Sequence, residues 1–268
     1  MKTIGINRIT PSGLVEYENC PLLFYYRTWL GLKLPQPQVH LKFGSAIHAA
    51  IEIIFKERNV QKACDLFSNE FLLEHLDDYE IKGQPATEAE RIAKYGDMLH
   101  DGKEMLNSLN QEVDTFKSLH NIKPIQFELA WKEILTHPET NLEPLEIPLS
   151  CRIDCLCEDD VILEFKTSSQ EYDIFETRAS PQALSYAWIY YQKYKKIPII
   201  HYIVLRKNRK KDRINHLRIQ YDFADLLAFD SKVRSILEKI RNREFNRPIK
   251  GHPMFCDCKK FEEALKIN

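Results

Sequence analysis

The stretch Val161–Thr167, VILEFKT, constrains the fold more than any other part of the chain. It is short, apolar and β-branched, and the acidic turn Glu158–Asp160 precedes it, so it reads as a buried strand. Side chains alternate along a strand, which puts Val161, Leu163 and Phe165 on one face and Glu164 and Lys166 on the other. An acid and a base on a core strand need partners, because an unpaired buried charge is costly. What holds an acid and a base side by side on such a strand is the question on which the reading of this chain turns.

The rest of the composition permits this. A length of 268 residues suits one large domain, or one domain with an inserted subdomain. With 44% hydrophobic and 29% charged residues the chain can bury a core, which excludes disordered and fibrous classes. The formal net charge of -1 means that any nucleic-acid-binding surface is local. No apolar run reaches the length of a membrane span, and the N-terminal MKTIGINRIT lacks the apolar core of a signal peptide. A cytoplasmic location with no membrane partner is the expectation. Seven cysteines, an odd number, speak for reduced thiols or metal ligands over a disulfide framework.

Periodicity orders the elements. Thr10 or Ser12 can cap a first helix, with Pro11 suited to its first position, and Pro35 and Pro37 break the region that follows. FGSAIHAAIEIIFKE (Phe43 to Glu57) has apolar residues at helical spacing. From about Gln61 to Leu119 the pattern is helical and strongly charged, interrupted near KGQPAT, and reads as a helical subdomain inserted before the sheet. IQFELAWKEIL alternates, with Phe127, Leu129 and Trp131 on one face, and LEIPLSCRIDCLCE and DVILEFKT give the next two strands. SPQALSYAWIYYQKY is a helix with Pro181 in its first turn, IPIIHYIVLRK and HLRIQY are strands, and FADLLAFDSKVRSILEKI closes as an amphipathic helix. The order predicts a mixed α/β (α+β) sheet wrapped by helices. It forms a single domain over 1–268, with a core at about 40–58 and 124–241 and a helical insertion at about 61–119.

The chemistry starts from the strand pair. In SCRIDCLC, alternation places Arg152, Asp154 and Leu156 on one face and Cys151, Ile153, Cys155 and Cys157 on the other. The hairpin turn is short, so Asp154 lies beside the Glu164/Lys166 face. Converging carboxylates repel unless a cation sits between them, and a hard divalent ion such as Mg²⁺ prefers oxygen ligands and often shares its shell with a phosphate. A lysine beside it can orient a water or offset charge building on a phosphate under attack. Taken alone, Glu164 and Lys166 are better read as a solvated surface pair worth little; the remaining motifs change that.

D-x9-E-x-K across two strands resembles the signature of the PD-(D/E)XK nuclease superfamily, and in particular its RecB-like exonuclease branch of CRISPR-associated and recombination-helicase nuclease domains. Further segments match in the same order: TPSGLVEYENCPLLFYY with Ser12, Cys20 and Pro21; FGSAIHAAIE with His48; and QALSY with Gln182 and Tyr186. The stretch from about Gln61 to Leu119 carries no such signature. The resemblance implies a restriction-endonuclease-like core and a Mg²⁺- or Mn²⁺-dependent deoxyribonuclease, more an exonuclease than an endonuclease, serving DNA repair, recombination or phage DNA metabolism. It implies His48, Asp154, Glu164 and the Phe165 carbonyl as metal ligands and Lys166 as the catalytic lysine. Gln182 and Tyr186 would hold the scissile strand or position that lysine. Glu52 would orient the His48 imidazole, and Glu128 either joins the acidic cluster or is an exposed strand glutamate. DNA, single-stranded or a duplex with ends, is the expected partner, with a helicase or recombination protein as a further one. The alternative is a module on the same fold that binds DNA or a helicase without cutting. Its usual mark is a lost acid or lysine, and none of His48, Asp154, Glu164, Lys166 and Gln182 is lost.

The cysteines depart from the pattern. Many RecB-like nucleases hold a [4Fe-4S] cluster with one N-terminal and three C-terminal cysteines, whereas here Cys20 is followed only by Cys256 and Cys258 near the C-terminus. A cluster with an unusual fourth ligand, a zinc site completed by His252, and a remnant of a lost cluster are all consistent with this, and the remnant is preferred. Cys151, Cys155 and Cys157 are too spread along a strand to share one ion and read as core residues. The segment Arg206–Arg213, RKNRKKDR, forms either a solvated turn or a basic hairpin that tracks a DNA backbone. Phe24, Tyr25, Tyr26 and Trp29 read as core packing, with base stacking as the alternative.

Overall fold

The computed structural model describes residues 5–33, 39–72, 87–137, 143–209, 211–248 and 256–266. Pro35, Pro37, His252 and most of the KGQPAT segment lie outside them. The chain opens with α1 (Pro11–Asn19), capped by the Thr10 hydroxyl, and α2 (Pro21–Phe24), which continues into a π-helical turn over Tyr25–Trp29. Three longer helices follow: α3 (Val39–Glu57), α4 (Val60–Glu70) and α5 (Glu88–Leu119), the last started by a capping box between Thr87 and Glu90. Strands β1 (Pro124–Glu133), β2 (Leu149–Cys157) and β3 (Val161–Ser168) then run as a meander. Helices α6 (Ile174–Arg178) and α7 (Pro181–Tyr194) cross over to β4 (Ile199–Arg206), and β5 (Ile214–Gln220), α8 (Phe223–Arg241) and α9 (Cys258–Lys266) complete the fold.

The sheet order is β1-β2-β3-β4-β5, with β3 and β4 parallel and every other pair antiparallel. A parallel pair needs a long connection, and α6 and α7 supply it. The sheet is covered on both faces, so most residues of its central strands are buried, the charged Asp154 and Glu164 among them. One layer packs α1, α7 and α8 against Ile153, Ile162, Ile200 and Val204. The other packs α3, α4 and α5 against Leu163, Phe165, Ile203 and Leu205. The tight turn between β2 and β3 places Asp159 at φ 56° and Asp160 at φ 60°, a left-handed conformation that aspartate tolerates better than most residues.

Strict alternation does not hold in β1 and β2. Leu129 and Trp131 join the α7 layer while Phe127 packs against Phe55 of α3. Cys151 and Ile153 likewise belong to the α7 layer, and Cys155 and Cys157 to the α3 layer. The two expected single-sided faces, Phe127/Leu129/Trp131 and Cys151/Ile153/Cys155/Cys157, are therefore corrected. The pairs Phe127↔Cys155 and Leu129↔Ile153 flank Glu128 and Asp154, and both strands change sides there. Glu128 absorbs the change with φ 51°, a strained value for a glutamate.

The helical layer is tightly set. A Cβ on Gly102 of α5 would collide with Cζ and Cε1 of Phe67, a buried ring stacked on Phe71 and edge-on to Phe43. Gly102→Ala gains about 1 kcal/mol of helix propensity but overpacks this contact at about 1–3 kcal/mol. A net loss of up to about 2 kcal/mol is expected in urea unfolding. A more stable variant would show that the ring can move aside.

Candidate active site

The site sits where β2 and β3 part. Their ladder holds only Cys155↔Leu163, Leu156↔Ile162 and Cys157↔Val161, so β3 beyond Leu163 has no backbone partner on that side. Asp154 fills the gap: its Oδ2 accepts the Phe165 backbone N–H at 2.7 Å. The side chain thus caps the split, and its Oδ1 is left facing His48 Nδ1 at 3.4 Å. Helix α3 brings His48 there on the face that buries Ile47 and Ile51, and the imidazole sits edge-on to the Phe165 ring.

Glu164 and Lys166 point the other way, toward α7, as alternation on the regular strand β3 requires. Glu164 is 1% exposed, and both its oxygens are engaged. Oε1 accepts from Lys166 Nζ at 2.5 Å and from Gln182 Nε2 at 2.7 Å, and Oε2 lies 2.9 Å from the Tyr186 hydroxyl. The Gln182 amide is a two-point clamp, because its oxygen accepts from Lys166 Nζ at 2.8 Å while its nitrogen donates to Glu164 and to Tyr186. Only one amide orientation satisfies all of these. Tyr186 also reaches the Arg152 carbonyl at 2.8 Å, which ties α7 to β2 at the split. Pro181 in the first turn and the Ser180 cap start α7 where Gln182 and Tyr186, one turn apart, share the face toward β3.

Electrostatics follow from this enclosure. Burial, together with the charge of Asp154, pushes the Glu164 carboxyl up against the opposing pull of Lys166. Burial works against the charged forms of Lys166 and His48. In Lys166 the ion pair with Glu164 outweighs it, in His48 the closeness of Asp154 does, and both groups are raised. Asp154 and Glu164 thus repel each other across the split, a repulsion that a cation placed between them would relieve.

Ligand atoms of His48, Glu128 and Asp154 all lie within 4.8 Å of one another. Glu128 gains this place from the side change in β1. Its own partner is Arg152 at 3.4 Å, an exposed pair worth little. Glu52 does not face the imidazole as expected but pairs with Lys56 at 2.5 Å. On the solvent side Lys166 lines an open cleft of about 370 Å³ with Tyr172, Ser180 and Gln182. Tyr172 and Ser180 belonged to no motif. Their place on the connection between β3 and α7 was the one available signal.

The three terminal cysteines also converge. Cys20, Cys256 and Cys258 are buried with their sulfurs within 4.8 Å of one another, beneath Leu22, Leu23 and Tyr26. None of the seven cysteines forms a disulfide. Burial raises the Cys20 thiol and pushes Cys258 up to about 12. Among the described residues no fourth cysteine joins them. Cys155 and Cys157 touch each other at 3.8 Å on the α3 side, and Cys151 is on the far side of the sheet. The aromatics Phe24, Tyr25 and Trp29 gather around Phe245, and Tyr26 stacks on Phe261.

Part of the basic segment is internal. Arg206 and Arg213 are buried, Arg213 pairs with Asp101 of α5 at 2.6 Å, and Lys207 lies over the Phe43 ring. Arg209 and Lys211 are its exposed cations among the described residues.

A mixed sheet split between two strands, an aspartate capping the split and a buried Glu-x-Lys clamped by Gln-x-x-x-Tyr define a nuclease core. The model of the PD-(D/E)XK nuclease superfamily matches residues 8–260, and the chain belongs to that superfamily. The fold class expected from the sequence is the one observed. None of the curated proteins matches the chain. A solved structure from Eubacterium rectale, provisionally named an exonuclease, shares 10% identity at TM-score 0.54, covering 95% of this chain and 88% of that one. That is a likeness of fold. An alkaline exonuclease from Laribacter hongkongensis shares 10% identity at TM-score 0.31, over 83% of this chain and 93% of its own. Among the described residues no helix is long and apolar enough to cross a membrane.

Proposed function

We propose that this nuclease is a divalent-cation-dependent deoxyribonuclease that degrades DNA from an end. The observation that carries the reading is the Lys166 ammonium, held by Glu164 and Gln182 near enough to His48 and Asp154 for their charges to act on one another, with the His48–Asp154–Glu128 donor set on the other side of β3. One nitrogen and two carboxylates, with Glu164 and the Phe165 carbonyl next to them on β3, suit Mg²⁺ or Mn²⁺. A cation held there supplies charge neutralisation at a phosphate and makes a water more acidic. Lys166 keeps its proton because Glu164 faces it, and its third N–H remains for a phosphate oxygen or an attacking water. Gln182 and Tyr186 fix the positions of Lys166 and Glu164 from behind, and Asp154 bridges the split between β2 and β3 through the Phe165 N–H. The three terminal cysteines suit zinc or part of an iron-sulfur cluster that ties the chain ends together. Iron and zinc analysis of anaerobically purified protein distinguishes these from bare thiols.

The test is digestion of end-labelled single- and double-stranded DNA, with sealed circular DNA alongside. Cleavage is expected with Mg²⁺ or Mn²⁺, to stop in EDTA, to release short labelled products from ends and to spare circles. Cutting of sealed circles would replace the exonuclease reading by an endonuclease one. Tight DNA binding with no cutting under any cation would make the chain a binding module.

A further inference from the structure

A second donor cluster lies outside this site. His120 caps the end of α5, His201 is on β4 and His216 on β5, and one ring nitrogen from each falls within 4.8 Å of the others. The strand register explains the convergence. Ile203 pairs with His216 and Arg218 with His201, so both histidines face the α5 layer on neighbouring strands, and the last turn of α5 brings His120 over them. Phe116 forms the floor, with ring contacts to all three. His201 is 2% exposed and its Nδ1 lies 2.7 Å from His216 Nε2, a contact in which one nitrogen must be an unprotonated acceptor. The rings of His201 and His216 stack at 13°.

We propose that His120, His201 and His216 form a site for a borderline transition-metal ion, with Zn²⁺ as the physiological class, which pins the end of α5 to the β4–β5 edge. Three imidazoles without a carboxylate are a donor set that Zn²⁺ takes and Mg²⁺ refuses. Burial, and the neighbouring histidines, depress His201 to about 3 and His216 to about 4, so both are in the neutral form that ligates. Arg218 adds to the depression of His201 and is the nearby cation the ion must tolerate. Zn–N bonds of about 2.0–2.1 Å put two tetrahedral ligands roughly 3.3 Å apart. The 2.7 Å pair must therefore open by roughly half an ångström, which small ring rotations supply. His120 and His216 are only half-buried, so the fourth position faces solvent.

The site is separate from the nuclease centre. His201 lies opposite Leu163 on β3, whereas Lys166 lies opposite Val204, three residues further along. The experiment is titration of chelator-treated full-length protein with Zn²⁺ and with Mg²⁺, for the native chain, His216→Ala and His120→Gln. Other sites present in all three proteins cancel in the comparison. The native chain is expected to bind one more equivalent of Zn²⁺ than either variant, or to bind that equivalent about tenfold or more tightly. It should also gain thermal stability with Zn²⁺ that the variants do not, and Mg²⁺ titrations should be alike in all three. Equal Zn²⁺ stoichiometry and affinity in the native chain and in folded His120→Gln would overturn the site and leave a hydrogen-bonded histidine cluster. His120→Gln, at a half-buried helix end, keeps the test decisive if His216→Ala fails to fold, with circular dichroism as the check.

Discussion

Lys166→Ala is expected to lower DNA cleavage by about 10²–10³-fold, the usual effect of removing one charged donor aimed at a transition-state oxygen. The reason is geometric. The ammonium is fixed beside the split by Glu164 and Gln182 before substrate arrives, so no reorganisation is needed during the reaction. DNA binding should change far less, because backbone affinity is spread over many surface cations. The truncation also leaves Glu164 buried without its counter-charge, which can destabilise the fold. Lys166→Met keeps the alkyl stem and separates the two effects. Both variants are compared with the native chain in end-label digestion, filter binding and thermal melting. A folded Lys166→Met that cuts at the native rate would remove Lys166 from the chemistry and with it the central support for the proposed mechanism.

The position of Lys166 was legible in the sequence because β3 is a regular strand. Alternation in VILEFKT separates Glu164 and Lys166 from Val161, Leu163 and Phe165, and the observed layers keep that separation. Gln182 and Tyr186 were legible for the same kind of reason, a regular helix with its start marked by Ser180 and Pro181. Where regularity ends, so does the reading. Nothing in IQFELAW or SCRIDCLC signals that both strands change sides at Glu128 and Asp154. A glycine would have advertised the left-handed turn that Glu128 adopts, and a glutamate does not. The basic run misleads in another way. Counting charges cannot reveal that Asp101, over a hundred residues earlier, reaches Arg213 and the backbone of Asn208 and draws that end of the run into the fold. His120, His201 and His216 share no local spacing at all. Only the β4–β5 register and the length of α5 bring them together.

Asp154 is the residue on which fold and proposed chemistry meet, and two substitutions pull them apart. Asp154→Asn retains an oxygen that can accept the Phe165 N–H, now held at 2.7 Å, so the split between β2 and β3 should survive with native-like melting. It removes one negative charge from the His48–Glu128–Asp154 donor set, and the affinity for Mg²⁺ should fall with it. Even groups that only orient metal ligands are worth about 10–100-fold in affinity or activity. A direct ligand sets a higher floor, and cleavage by Asp154→Asn is expected to drop by at least about 10²-fold. Asp154→Ala should lose the same activity and, in addition, about 1–3 kcal/mol of stability, because the Phe165 N–H is then buried without an acceptor. Isothermal titration with Mn²⁺, end-label digestion and urea unfolding of both variants read the three quantities independently. If Asp154→Asn binds Mn²⁺ and cuts as the native chain does, Asp154 is a structural cap alone, and the cation must be sought at Glu164. If both variants lose activity but only the alanine loses stability, one carboxylate performs both tasks, its Oδ2 closing the ladder that β2 leaves open and its Oδ1 turned to the site.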